Sequence, residues 1–200
     1  MKIRQAVESD AQYFIEIKDQ LHFKNVQGET TSGGFLLGTD IETYQKYIRE
    51  ENVLVGIDDG KIVGFGIMLK NDTVKNTDLW QRKEMANWTI NIEKYDFIPT
   101  CYFEQLAFLN GYSRLAMRLC YALAQKAFET HDALFTTTVH SPILNLAAVP
   151  YILKSGGSKI GNINEYYEQI GNIISDIYKI DKVDFEEKVQ KSIFFKFLNS

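Results

Sequence analysis

The sequence predicts an α/β (α+β) fold, a mixed and mostly antiparallel central sheet of about seven strands flanked by helices, on three observations. Residues 52–69, NVLVGIDDGKIVGFGIML, are two β-rich runs separated by Asp58, Asp59 and Gly60, the chemistry of a tight hairpin turn. Residues 101–140 read strand, helix, strand: CYFEQLAF, then RLAMRLCYALAQKAFE with a broad apolar face, then the β-branched run ALFTTTVH. Two alternating runs, near 159–170 and 173–180, close the sheet as a second hairpin.

The remaining elements are set by local signals. Residues 2–7 alternate apolar and polar side chains as a strand, and Ser9 and Asp10 offer caps to the amphipathic helix AQYFIEIKDQL. Glycines and hydroxyl residues make 23–39 a loop, and Asp40 caps a second helix, IETYQKYIREE. Residues from about 71 to 100 carry Trp80, Trp88, Tyr95 and Phe97 without a clean period and read as an inserted loop with one short helix. A helix is expected around Leu144–Lys154, stopped by Gly156 and Gly157, and the apolar tail SIFFKFLNS is expected to dock. Gly64 and Gly66 weaken their strand unless another segment or a ligand approaches its backbone closely. There is no repeat, low-complexity tract or linker, so residues 1–200 are expected to form a single domain.

Composition excludes several functional classes. The formal net charge is −4 and the sequence pI near 5.5, which disfavours a nucleic-acid binder or an anionic membrane surface as partner. Cys101 and Cys120 stand apart from any CxxC or His-rich neighbour, so neither a zinc site nor a disulfide framework is indicated and a reducing compartment is expected. MKIRQAVESD turns polar too early for a signal peptide, and no apolar run approaches the roughly 20 residues that span a bilayer. A cytoplasmic protein is the expectation.

A strand that leads through a turn into a helix offers backbone N–H groups and the helix N-terminus to an anion such as a pyrophosphate. The window Gly111-Tyr112-Ser113-Arg114-Leu115-Ala116 stands at such a junction. Three segments, VLVGIDDGKIVGFGIM, YFEQLAF followed by GYSRLAMRLCYAL, and NLAAVPYILKSGG, together with the element order, resemble the GNAT acyltransferase family over nearly the whole chain. The resemblance implies an N-acyltransferase that moves an acyl group, most simply acetyl, from acetyl-CoA to a primary amine by direct attack, without a metal. The family writes its phosphate turn Arg/Gln-x-x-Gly-x-Gly/Ala. Here only Ala116 fits; Gly111 stands for the first residue and Arg114 for the middle glycine, where its side chain either adds a phosphate ligand or crowds the groove.

The resemblance assigns the cofactor to Leu106, Ala107 and Phe108 of the fourth family strand, to Gly111, Tyr112, Ser113, Arg114, Leu115 and Ala116 of the turn, and to Asn145 against the pantetheine arm. An N–H near Ala107 or Phe108 would polarise the thioester carbonyl. Glu104 is either the general base or a solvent-facing strand carboxylate. Tyr151 is either the acid that protonates the departing thiolate or a packed core tyrosine; counted from Asn145, the family's tyrosine position falls one later, on Ile152. Asn145 also suits a helix N-cap. His140 either lines the acceptor pocket, acts as an acid or base, or is a polar surface residue. The aromatic loop, with Phe35, either walls the acceptor pocket or forms a satellite core. Leu115, Leu119, Cys120, Leu123 and Ala127 follow helical spacing as core packing. The acceptor is a small-molecule, peptide or protein amine, and a homodimer is compatible with these expectations. Two other classes share the fold: a catalytically inactive domain that binds a ligand or partner, and an acyltransferase acting on a hydroxyl or a carrier-linked substrate.

Overall fold

The computed structural model describes residues 1–21, 28–31, 36, 38–168, 171–192 and 195–198, the side chains of residues 78, 79, 167, 195 and 196 excepted. The elements in chain order are β1 (Lys2–Gln5), α1 (Ala11–Gln20), β2 (Gly28–Thr30), α2 (Ile41–Glu50), β3 (Asn52–Asp58), β4 (Lys61–Leu69), α3 (Asn71–Val74), α4 (Asp78–Gln81) and β5 (Asn87–Trp88). They continue with β6 (Thr100–Phe108), α5 (Ser113–Phe128), β7 (Ala133–Ser141), β8 (Ile143–Asn145), α6 (Val149–Lys154), β9 (Ser158–Tyr167), β10 (Gly171–Asp181), α7 (Lys182–Gln190) and α8 (Phe195–Leu198). The main sheet has eight described strands in the order β1-β3-β4-β6-β7-β10-β9-β5, and β2 pairs with β8 in a second, two-stranded sheet. Every pair in the main sheet is antiparallel except β6 with β7.

The expected β3–β4 hairpin turns on Asp59 (φ 45°) and Gly60 (φ 76°), both left-handed, as a two-residue turn that follows the strand twist requires. Asp40 caps α2 as expected, accepting the Thr43 N–H at 2.8 Å. Asp10 does not cap α1: its carboxylate accepts the Val7 N–H at 2.8 Å and both guanidinium nitrogens of Arg4, at 2.6 and 3.0 Å. Burial opposes ionisation of Asp10, but these donors outweigh it and hold the carboxyl below its ordinary range.

One core lies on each face of the sheet. Phe14, Tyr44, Val53, Val55, Phe65, Ile67 and Phe135 are buried under α1, α2 and the segment 71–97. Leu54, Met68, Cys101, Leu119, Leu123, Ala127 and Leu134 are buried on the other side, under α5 and α7. The glycines of the hairpin are explained by this second layer. A Cβ on Gly64 would stand 2.2 Å from Phe108 Cδ1, and one on Gly66 2.6 Å from both Leu119 Cδ2 and Leu123 Cδ1. Protein side chains, rather than a ligand, make the close approach that the sequence hinted at.

Two expectations are corrected. Segment 71–97 is more than a loop with one helix: it holds α3, α4, two short 3-10 turns, and β5, which pairs with β9 and adds the eighth strand. Its aromatic residues join the α2-side core instead of forming a separate one, Trp80 and Tyr95 standing edge-on to Phe135 with ring centroids 5.7 and 5.2 Å away, while Phe97 is 93% exposed. The helix expected from Leu144 starts only at Val149, because Leu144 and Asn145 pair with Glu29 and Thr30 of β2. Phe35, the end of the first hairpin run at residues 169 and 170, and part of the tail lie outside the described residues.

Candidate active site

The site begins where the sheet stops pairing. β6 and β7 are hydrogen-bonded only at Thr100↔Ala133, Cys101↔Leu134 and Tyr102↔Phe135, yet β6 continues to Phe108 and β7 to Ser141. At the apex of this wedge side chains take over from the ladder: Thr136 Oγ1 donates to the Phe103 carbonyl at 3.0 Å, and Tyr102 OH and Thr137 Oγ1 share a hydrogen bond at 2.7 Å. Past the apex the two strands diverge, leaving backbone polar groups on their facing edges that need partners of another kind.

A cavity of about 880 Å³ runs through the wedge. On the α5 side its wall includes Leu106, Phe108, Gly111, Ser113, Ala116, Cys120, Asn145, Tyr151 and Ile152. On the α2 side it includes Thr43, Lys46, Tyr47, Thr73, Asn76, Thr77, Glu104, Ala107 and Glu165. Two ligands can therefore meet from opposite faces of one sheet. Thr138, 5% exposed on the wall, has a buried Oγ1 without a hydrogen-bond partner among the described residues, a free donor and acceptor beside the opening.

The turn before α5 exposes the start of the helix backbone. Gly111 takes φ +93°, which glycine adopts at no steric cost, and delivers the chain to the start of a 16-residue helix. The Ala116 N–H is already spent on the Tyr112 carbonyl at 2.9 Å, so the helix begins its own ladder there. The N–H groups of Ser113, Arg114 and Leu115 precede that ladder and form the positive end of α5.

The expected residues divide between the cavity and its surroundings. Glu104, Tyr151, Leu106, Ala107, Phe108, Gly111, Ser113, Ala116 and Asn145 all line the cavity. Tyr112, Arg114 and Leu115 do not. The Tyr112 hydroxyl donates to Asp58 Oδ2 at 3.2 Å, Arg114 is exposed, and Leu115 is 1% exposed with its Cδ2 2.9 Å from where a Cβ on Gly56 would be. The side chains of these three lie off the cavity wall, and their backbone is what stands at the turn. Ala116 contributes a small side chain rather than an N–H.

Glu104 is only partly exposed, and burial pushes its carboxyl up to about 7, with the charge of Glu165 adding to the rise. Tyr151 is half-buried on the cavity wall, and its neighbour Ile152, 8% exposed, is the residue that packs inward. Burial raises the Tyr151 phenol, and Cys120 adds to it. Cys120 lines the cavity rather than the core, and burial pushes its thiol up to about 12, so it stays neutral at neutral pH. Asn145 closes a turn of its own, accepting the Ala147 N–H at 3.1 Å, instead of capping a helix. His140 is exposed off the cavity, its Nδ1 3.2 Å from Asp176 Oδ2. On the α2 side of the wall the sequence reading found only Glu104 and Ala107. Tyr47 lies three residues after the core residue Tyr44, on the neighbouring stripe of the same amphipathic helix, and periodicity alone could have pointed to it.

No protein-family model and no curated protein matches the sequence. Solved structures do match. An acetyltransferase of the GNAT family from Streptococcus pneumoniae is 16% identical, with 90% of this chain and 98% of that one covered and a TM-score of 0.54. yncA from Salmonella typhimurium, with its cofactor acetyl-CoA, is 12% identical over 90% of this chain and 93% of that one, at a TM-score of 0.59. Drosophila melanogaster polyamine N-acetyltransferase, an enzyme that forms N-acetylagmatine, is 12% identical over 90% and 99%, at 0.58. With the strand order and the β6–β7 wedge, these likenesses establish that the chain has the fold of the GNAT acetyltransferases.

Proposed function

We propose that the chain is an N-acetyltransferase that takes acetyl from acetyl-CoA and gives it to a primary amine. The observation that carries this reading is the through-sheet cavity, which has a helix N-terminus on one face, two carboxylates on the other, and Glu104 and Tyr151 both on its walls. The residues fit an acyl-CoA: unpaired strand edges and the orphaned Thr138 hydroxyl suit the amides of a pantetheine arm, and the first-turn N–H groups of α5 suit its pyrophosphate. When bound, acetyl-CoA supplies the thioester whose carbonyl the amine attacks.

The chain's own residues then have separable roles. Leu106, Ala107 and Phe108 present the β6 edge that orients the acyl group, and an N–H near Ala107 or Phe108 stabilises the oxyanion. Glu104, with a carboxyl that titrates near 7, accepts the proton from the incoming ammonium, directly or through water. Tyr151, kept protonated by its raised phenol, donates to the leaving sulfur, and the proton that the acylated nitrogen then sheds restores the phenol. Asn145, Gly111 and the backbone of residues 112–115 hold the donor, and Ala116 leaves room for it. The acceptor enters on the side of Tyr47, Thr73 and Glu165, and a small-molecule, peptide or protein amine meets the same chemistry there.

Thiol release from acetyl-CoA, measured with agmatine, a polyamine and a peptide α-amine, tests the reading. It expects transfer to at least one amine and loss of that transfer, on the order of 100-fold, in Glu104→Gln. The Arg114 departure favours a second reading, a domain that binds a ligand without catalysis. No binding of CoA at millimolar concentration by the folded chain would select it.

A further inference from the structure

β6 is not a regular strand at Glu104. Phe103 stands opposite Met68 and Gln105 opposite Ile67, so Glu104 is an extra residue with no partner on β4. In an unbroken strand Gln105 would share a face with Phe103, which packs on the α5 side. Instead the Gln105 amide lies under α2, where its Oε1 accepts the Tyr44 hydroxyl at 2.9 Å and its Nε2 donates to Thr39 Oγ1 at 2.8 Å. The slip restores the packing of the rest of the strand: Ala107 joins the α2-side core, and Leu106 and Phe108 the α5 side.

The three side chains of this chain of hydrogen bonds are buried, Tyr44 at 0%, Gln105 at 7% and Thr39 at 7% exposure. An apolar residue at 105 would fill the same space without needing two polar partners, so packing alone does not account for the amide. Its anchor is rigid: the Tyr44 ring stands edge-on to Phe14 and Phe65, with centroids 5.4 and 5.6 Å apart, and those two rings stack at 4.1 Å. The Lys18 ammonium ties the other end, donating to the Thr39 carbonyl at 2.6 Å.

We propose that Gln105, held between Tyr44 and Thr39, is a positioning residue that fixes the β6 bulge and thereby keeps the Glu104 carboxyl turned into the cavity. The proposal deepens the reading of Glu104 as the proton acceptor and rests on it for its catalytic meaning. Around that carboxyl the titratable groups are Tyr44 and Tyr47 on α2 and Glu165 on β9, with Lys46 farther along the same wall. Burial among them holds Glu104 protonated up to about pH 7. A Glu104 released from the bulge turns to solvent and titrates near the ordinary carboxylate range.

The test uses the full chain labelled with carboxyl-¹³C glutamate, the Glu104 resonance being identified by its loss in Glu104→Gln. Its titration is followed in wild type, Tyr44→Phe, Thr39→Val and Thr39→Ser, with CoA affinity measured alongside. The wild-type midpoint is expected near 7. Tyr44→Phe and Thr39→Val should each lower it by about one pH unit or more, Thr39→Ser should keep it, and CoA affinity should stay within about twofold of wild type in all three variants. A midpoint that does not move in Thr39→Val overturns the proposal, even if the variant is less stable, and so does a shift equally large in Thr39→Ser. Should Tyr44→Phe fail to fold, the Thr39 pair decides alone. A moved midpoint beside an unimpaired Glu104→Gln enzyme would support positioning while removing Glu104 from the base role, so the two claims fail separately.

Discussion

Replacing Glu104 by glutamine should make the protein more stable at alkaline pH while disabling it. The folded chain raises this carboxyl from an ordinary 4.5 to about 7, chiefly by burial. At about 1.4 kcal/mol per pH unit, the ionised form therefore costs on the order of 3 kcal/mol of folding free energy. The sign comes from proton binding. Between pH 4.5 and about 7 the folded chain holds a proton that the unfolded chain has released, so stability falls as pH rises through that window; below it the penalty vanishes, and above it the penalty is complete. Glutamine keeps the shape of the protonated acid and cannot ionise. Urea unfolding of both proteins from pH 4 to pH 8, followed by tryptophan fluorescence, should give equal midpoints at the acid end. At pH 8 the variant's midpoint should be higher by roughly 1 to 3 M, for slopes of about 1 to 3 kcal/mol per M. Equal stability at pH 8 would mean that Glu104 is solvated as an ordinary carboxylate, and the base assignment would lose its physical footing.

Three further outcomes bear on the site. Gly64→Ala places a methyl within 2.2 Å of the Phe108 ring, so denaturation should show a loss of about 1 to 3 kcal/mol, and CoA affinity should fall with it because Phe108 lines the cavity. Tyr151→Phe should lower the transfer rate on the order of 100-fold with CoA affinity unchanged, since a general acid acts only in the chemical step; a stability loss without a rate effect would return Tyr151 to a packing role. Arg114→Gly and Arg114→Ala should bind CoA alike, within about threefold of wild type at moderate salt, because the exposed side chain is off the cavity wall and a solvated charge contributes little. A large loss in both variants would make Arg114 a phosphate ligand.

Features with a local chemical signature were legible in the sequence. The Asp59-Gly60 turn, the Asp40 cap and the amphipathic α5 each write their cause into a few adjacent residues. The α5-side wall was legible through a turn at a strand-to-helix junction and the resemblance that it carries. Features decided by distant partners stayed hidden. Nothing near Leu144 announces that Glu29 will pair with it and delay the helix, and nothing near Trp80 announces Phe135. The bulge at Glu104 has no composition of its own; it is visible only when Gln105 is found facing Tyr44. The α2-side wall is drawn from α2, the end of β4, α3 and β9, segments whose convergence only the fold specifies. That the Tyr112 hydroxyl reaches Asp58 and that Leu115 packs over Gly56 was hidden for the same reason.

The central claim is that the wedge between β6 and β7 holds an acyl-CoA. Titration of acetyl-CoA into the full chain by calorimetry, with folding confirmed by circular dichroism, measures this directly. Saturable binding of one molecule per chain is predicted, accompanied by a rise in melting temperature that grows with ligand concentration and by loss of affinity when Ala116 on the cavity wall is replaced by a bulky residue such as phenylalanine. Absence of binding at millimolar acetyl-CoA by a folded chain would contradict the claim.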